Sequence, residues 1–391
     1  MVLNTVYKGD SKMDFGTKLI HNGNEIDKNT GALSVPIYQA STFHQFDIDN
    51  FGKYDYSRSG NPTREALENT IAILEEGDSG FAFSSGMAAI SSVLSIFSAG
   101  DHILVCKDVY GGTYRVTSSF FTKFNMETTF IDATNIGEIK ERIKDNTKAI
   151  FLESPSNPLL KITDFRAVIE LAKEHDIIVI VDNTFMSPYL QNPIKLGADI
   201  VVHSATKFIG GHSDVVSGLV AVKGKELSDK VKFVQNSFGA ILGPQDCWLL
   251  LRGLKTLKVR LDYQQKSALK LANWLKEQAE VAKVYYPGLS DHPGSAIHLS
   301  QSRGGGAVLS FETKDDETAR NFMKKVRLAA VAVSLGGVET IVSYPAKMSH
   351  AAIPKEEREE LGIKDSLIRV SLGLEDTNDI IEDFKKALSI K

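Results

Sequence analysis

Cysteine is nearly absent from this sequence. Its 391 residues include only Cys106 and Cys247, far apart and outside any Cys-x-x-Cys spacing, so neither a disulfide framework nor a structural zinc site is indicated. An excess of one charge is lacking too: 45 Lys plus Arg face 49 Asp plus Glu, a formal charge of −4, which leaves no electrostatic footprint for nucleic acid or an anionic membrane. No stretch approaches the ~18 consecutive apolar residues of a membrane span. The opening segment MVLNTVYKGDSKMDFG lacks the apolar run of a secretory leader, so a cytoplasmic protein is expected. Missing as well are Gly-x-Ser-x-Gly, His-Glu-x-x-His and Gly-x-x-x-x-Gly-Lys-Ser/Thr, which removes hydrolase, zinc-protease and P-loop chemistry. Ser204-x-x-Lys207 fits the serine motif of penicillin-recognising enzymes, but the companion Ser-Asp-Asn and Lys-Thr-Gly tripeptides do not occur.

What is present reads as a compact enzyme-sized chain, with 42% hydrophobic and 24% charged residues and a length that favours two domains. Between residues 80 and 223, seven short apolar runs alternate with segments of helical period. They are GFAFSS, HILVC, TTFID, KAIFLES, IIVIVDN, DIVVHSA and GLVAVK. The alternation predicts an α/β fold with a mostly parallel seven-stranded sheet, and the doubly apolar middle runs predict helices covering it. Residues 1–60, rich in Gly, Asn and Ser, read as an irregular arm suited to an oligomer contact. A proline-free run of over thirty residues from Gln245 reads as one long helix leading to a smaller C-terminal α+β domain. The expected units are an arm over 1–60, a large domain over 61–255 and a small domain over 256–391.

Ligands of open α/β sheets bind at the carboxyl ends of the strands. The strand IIVIV ends in Asp182, either a turn cap or a fixed negative charge facing a ligand cation. DIVVH leads into Ser204, Ala205, Thr206 and Lys207. With the strand register continued, Ser204 and Thr206 share one face and offer two hydroxyls to a phosphate. Lys207, beside Phe208 and Ile209, is either a surface lysine or a desolvated amine nucleophile. Ser84-Ser85-Gly86-Met87 opens a helix and is either a simple cap or an anion cradle. Asn157, in the elbow Ser154-Pro155-Ser156-Asn157-Pro158, orients a ligand oxygen or caps. His203 and His212 read as structural histidines. An anion cradle, an acid for a cation and an amine nucleophile are together what pyridoxal phosphate requires.

The ordered segments YDYSRSGNPTR, AFSSGMAAI, DVYGGTYR, ESPSNP, VDNTF, SATKFIGGHSDVVSG, SLGGVET and IRVSLGLED resemble the Cys/Met-metabolism family of pyridoxal-phosphate enzymes over most of the chain. The resemblance implies a fold-type-I transferase architecture and a homotetramer of two tight dimers with composite sites. It implies Lys207 as the lysine bonded to the cofactor and the base, Asp182 at the ring nitrogen, and Ser85, Gly86, Met87, Ser204 and Thr206 around the phosphate. Tyr56 and Arg58 would reach the phosphate of the neighbouring subunit, and Tyr110 would stack on the ring. Asn157, Ser334 and Arg369 would hold the cofactor oxygen and the substrate carboxylate. The implied activity is a carbon–sulfur lyase of methionine and cysteine metabolism, β-eliminating cystathionine. γ-Elimination or γ-replacement is the alternative. Asp55 matches the acid of γ-acting members, but Val333 stands where they carry glutamate, and Gly112 where methionine γ-lyases carry cysteine.

Overall fold

The computed structural model describes residues 13–23, 26–351 and 355–389. The first twelve residues of the expected arm, with residues 24 and 25, lie outside them, as do residues 352–354. All seven apolar runs are strands: β1 (Ser79–Phe83), β2 (His102–Cys106), β3 (Glu127–Ile131), β4 (Thr147–Glu153), β5 (Ile178–Asp182), β6 (Ile200–Ser204) and β7 (Gly218–Val222). They form one sheet in the order β1-β7-β6-β5-β4-β2-β3. Pairing is parallel from β6 through β3, and β7 runs antiparallel to both β1 and β6. Two apolar cores pack about the sheet, one containing Val93, Phe151 and Phe165, the other Leu67, Ile71 and Phe208. Successive residues of the middle strands, such as Ile150, Phe151 and Leu152, are all buried, which is why those runs are apolar at every position.

The helix Pro62–Glu75 shows how local sequence sets an element. Asn61 accepts hydrogen bonds from the backbone N–H groups of Thr63 and Arg64 at 2.9 and 3.3 Å, Pro62 occupies the first turn, and Glu76 ends the helix in the left-handed region. The second sheet contains β8 (Val281–Tyr285), β9 (Val308–Thr313), β10 (Ala330–Val331), β11 (Ile341–Ser343) and β12 (Leu367–Ser371), in the order β10-β11-β12-β9-β8. The helices Asp316–Lys325 and Thr377–Leu388 join it through the edge-packed rings of Phe311, Phe322 and Phe384, with centroids 5.5 and 4.9 Å apart.

Two expectations change. The arm is not wholly irregular, since Phe15–His21 is a helix whose Leu19 is buried. The run from Gln245 is two helices, Pro244–Leu254 and Leu257–Lys276. The break has a packing cause: a Cβ on Gly253 would lie 2.5 Å from the carbonyl oxygen of Gly210, so the two backbones are already in contact. Arg260 then donates to the carbonyls of Gly253 (2.8 Å) and Phe208 (2.7 Å) and to the hydroxyl of Thr256 (3.0 Å). The kink therefore grips the loop that follows Lys207. Among the described residues no helix is long and apolar enough to cross a membrane. Cys106 and Cys247 are free and buried, with burial pushing both thiols up, as expected of inert cysteines.

Candidate active site

The strand ends of the large sheet bring the site together. Glu153 at the end of β4 and Asp182 at the end of β5 are paired in register, a close couple of buried carboxyls. Burial, then the charge of Asp182, pushes Glu153 far above the ordinary carboxylate range. Asp182 is also raised by burial, but its Oδ1 accepts from the backbone N–H (3.0 Å) and hydroxyl (2.5 Å) of Thr184, and these bonds with the charge of His203 favour its ionised form. Burial thus raises both carboxyls of the couple, while the bonds from Thr184 act on Asp182 in the opposite direction, toward the ionised form. Glu153 Oε2 accepts the backbone N–H of Tyr110 at 2.9 Å, which fixes the loop that bears the half-exposed Tyr110 ring.

Lys207 stands in the turn after β6. Its Nζ donates to Ser334 Oγ at 2.6 Å, and burial with the nearby charge of Arg369 brings the ammonium down to about 8. Ser334 has a φ of 86°, strained for a residue with a Cβ, and its carbonyl accepts from Arg369 Nη2 at 2.7 Å. It is thus a junction between the amine and the guanidinium. Gly336, two residues on, has a φ of 81°, and a Cβ there would lie 2.6 Å from the backbone nitrogen of Phe208, so this turn rests directly on the lysine loop. Arg369, buried on β12, also donates from Nη1 to Asn157 Oδ1 at 2.9 Å, while its Nε has no partner. Burial brings it down to about 10, so it remains a cation at neutral pH.

The helix Gly86–Leu94 begins opposite the end of β6, capped by Ser85, whose Oγ accepts from Ala88 N–H at 3.0 Å. A Cβ on Gly86 would lie 2.9 Å from the Cβ of Ser204, so only glycine lets the helix end meet the strand end. Ser204 and Thr206 do not share a strand face. β6 stops at Ser204, the chain turns with Lys207 N–H bonded to Ser204 O at 3.1 Å, and Thr206 Oγ1 exchanges hydrogen bonds with the backbone of Ser217.

The arm residues lie elsewhere in the chain. Arg58 is exposed, stacked 5.6 Å over the Tyr56 ring and packed against Gly239. Asp55 is exposed and accepts the Tyr56 N–H at 2.6 Å. Val333, beside Ser334, is 65% exposed. A Cβ on Gly112 would lie 2.5 Å from the Tyr110 ring and 2.6 Å from Met87 Sδ, so a side chain there must displace both. Gly112→Ala is accordingly expected to lower kcat/KM about tenfold with little change in melting temperature; kinetics at parental values would remove Gly112 from the positioning of Tyr110.

Two buried acids escaped sequence reasoning. Glu153 read only as a strand end, and its single signal is its place directly before the proline elbow. Glu75 read as one acid of a helix, although a carboxylate in the last helical turn opposes the helix dipole, which was the available signal. It contacts His203 Nε2 at 2.6 Å.

An anion cradle at a helix start, an isolated amine, a buried carboxylate and a buried guanidinium with a free N–H converge at the carboxyl ends of one sheet. The model of the family described as "Cys/Met metabolism PLP-dependent enzyme" matches residues 16–389, and the chain belongs to that family. It is 57% identical to cystathionine beta-lyase MetC of Bacillus subtilis (strain 168), over 95% of each chain. It is 50% identical to a cystathionine gamma-lyase of the same organism, over 95% of this chain and 98% of that one. A crystal structure of cystathionine gamma-lyase from Lactobacillus plantarum complexed with L-serine superposes with a TM-score of 0.93 at 48% identity, covering 96% of this chain and 98% of that one.

Proposed function

We propose that this protein is a carbon–sulfur lyase that β-eliminates L-cystathionine to homocysteine, pyruvate and ammonia. The observation that carries the reading is the Lys207–Ser334–Arg369 chain, an amine of lowered basicity tied through one serine to a carboxylate-binding guanidinium. Pyridoxal phosphate supplies an aldehyde for the substrate amine and a sink for the electron pair left at its α-carbon. The residues present fit it. The N–H groups of Gly86 and Met87 with the hydroxyls of Ser85 and Ser204 would take the phosphate, Asp182 the ring nitrogen, and Asn157 a ring oxygen, while Thr206 holds the turn through the Ser217 backbone. Tyr110 would cover the ring face. The unpartnered Nε of Arg369 is the donor left over for the substrate carboxylate. Lys207 Nζ removes the α-proton, and Ser334 Oγ holds it in place until then.

Support for β- over γ-chemistry comes from Val333, whose exposed apolar side chain offers no carboxylate to a distal ammonium, and from the 57% identity to a β-lyase. Asp55, on the arm, is the residue that speaks for the γ-alternative. The keto acid released from L-cystathionine distinguishes the two: pyruvate with homocysteine is expected, whereas 2-oxobutyrate with cysteine would make the enzyme a γ-lyase.

The same reading includes a cytoplasmic homotetramer in which Tyr56 and Arg58 complete a neighbour's phosphate site. In its support, the arm exposes Phe46, Ile48, Phe51 and Tyr56, an apolar set that a lone subunit leaves in water, and Arg58 holds an exposed guanidinium over the Tyr56 ring. The proposed division of the chain is an arm over 1–60, a large cofactor-binding domain over 61–255 and a small domain over 256–391. Arg58→Ala subunits mixed with Lys207→Ala subunits should recover part of the activity that neither shows alone; no recovery after remixing would argue against shared sites.

A further inference from the structure

Beneath the strand ends runs a second polar layer that the proposed chemistry does not use. Glu75, fully buried, occupies the last turn of its helix, where burial and the helix dipole both disfavour a carboxylate. Its Oε1 is shared by His203 Nε2 at 2.6 Å and by the side-chain amide of Asn183 at 2.9 Å. That amide also donates to the carbonyl of Gln191 at 2.9 Å, and the Gln191 amide returns to Asn183 Oδ1 at 3.2 Å and reaches the carbonyl of Ser154 at 3.0 Å. Each anchored residue adjoins one that faces the site: Ser154 follows Glu153, Asn183 follows Asp182, and His203 precedes Ser204. Side chains alternate along a strand, so a bond on one face fixes where its neighbour points on the other.

We propose that Glu75 and His203 are positioning residues, a buried pair that clamps the ends of β5 and β6 from the far face and so aims Asp182 at the cofactor's ring nitrogen and Ser204 at its phosphate. The inference rests on the assignment of Asp182 and Ser204 to those groups. The clamp gives this buried side chain a function: Oε1 is the acceptor on which the two strand ends meet. His203 also lies near enough for its charge to bear on Asp182.

The test uses the full chain stripped of cofactor and titrated with pyridoxal 5'-phosphate, reading the dissociation constant, the visible absorption band of the bound cofactor and the melting temperature. Glu75→Met fills the volume without an acceptor and is expected to weaken binding about tenfold and to move the band, whereas Glu75→Gln keeps an acceptor and stays within about twofold of the parent. His203→Leu should act like Glu75→Met, and it decides the matter should Glu75→Met not fold. Parental affinity with an unmoved band in Glu75→Met or His203→Leu, the melting temperature alone falling, reduces the pair to a structural one and overturns the proposal. So does a Glu75→Gln variant as impaired as Glu75→Met. Asp182→Asn serves as the control: parental affinity and band in that variant would instead overturn the ring-nitrogen assignment itself.

Discussion

Lys207→Ala is expected to lower turnover of L-cystathionine by about 10³-fold, the scale of a lost general base, while the protein folds and still binds pyridoxal phosphate through its phosphate cradle. The amine is the one group in the site that is nucleophilic, near neutrality in its basicity and held by a hydroxyl it can leave. Ser334 donates no charge, so breaking the 2.6 Å bond to Lys207 strands no ion. Exchange of the substrate α-proton with deuterated solvent should vanish with turnover, and borohydride reduction of the parent holoenzyme should label Lys207 alone. A variant that still exchanges the α-proton at the parental rate would strip Lys207 of its role as base.

The lowered basicity also makes a stability statement. In the cofactor-free protein Lys207 releases its proton near pH 8, against 10.5 ordinarily, so between those values the unfolded chain binds more protons than the folded one. Stability attributable to this residue therefore rises with pH across that window. Below it the folded protein holds a half-buried ammonium at a cost, so Lys207→Met should raise the melting temperature of the apoprotein at neutral pH. The gain should shrink above pH 8 and be gone above 10.5. Thermal unfolding of both proteins at several pH values checks the sign.

Arg369→Lys is expected to lower kcat/KM about 10²-fold, although it keeps the charge. The planar guanidinium meets Asn157 Oδ1, the carbonyl of Ser334 and the hydroxyl of Ser343 at once and still has Nε left over. A lysine supplies a single nitrogen to the same surroundings and leaves buried acceptors unpaired. The loss should fall mainly on KM, because the substrate carboxylate is bound both before and during reaction. Equal KM values for parent and variant would show that the carboxylate binds elsewhere.

Much of this protein is legible in its sequence because strands of a covered sheet announce themselves locally. Runs such as IIVIVDN and DIVVHSA are apolar at successive positions, and the residue that ends each run faces the ligand side by construction. Asp182, Ser204, Lys207 and the Ser85–Met87 turn could therefore be named from position alone. Local period misleads where an element stops: carrying the strand through Thr206 put its hydroxyl on the wrong face, and the missing proline after Gln245 hid a break made by the close packing of Gly253 on Gly210.

By itself the sequence determined the strands, their polar ends and the set of chemical groups available at them, all of which follow from the spacing of neighbouring residues. Tertiary structure alone decided which groups meet. Lys207 and Ser334 are 127 residues apart, Asn157 and Arg369 are 212 apart, and Glu75 and His203 are 128 apart. Strand order puts Glu153 beside Asp182, and the packing of the second sheet against the first brings Arg369 to the amine. Hydrogen bonds act over about 3 Å, and no local periodicity records which distant strand will stand within that distance.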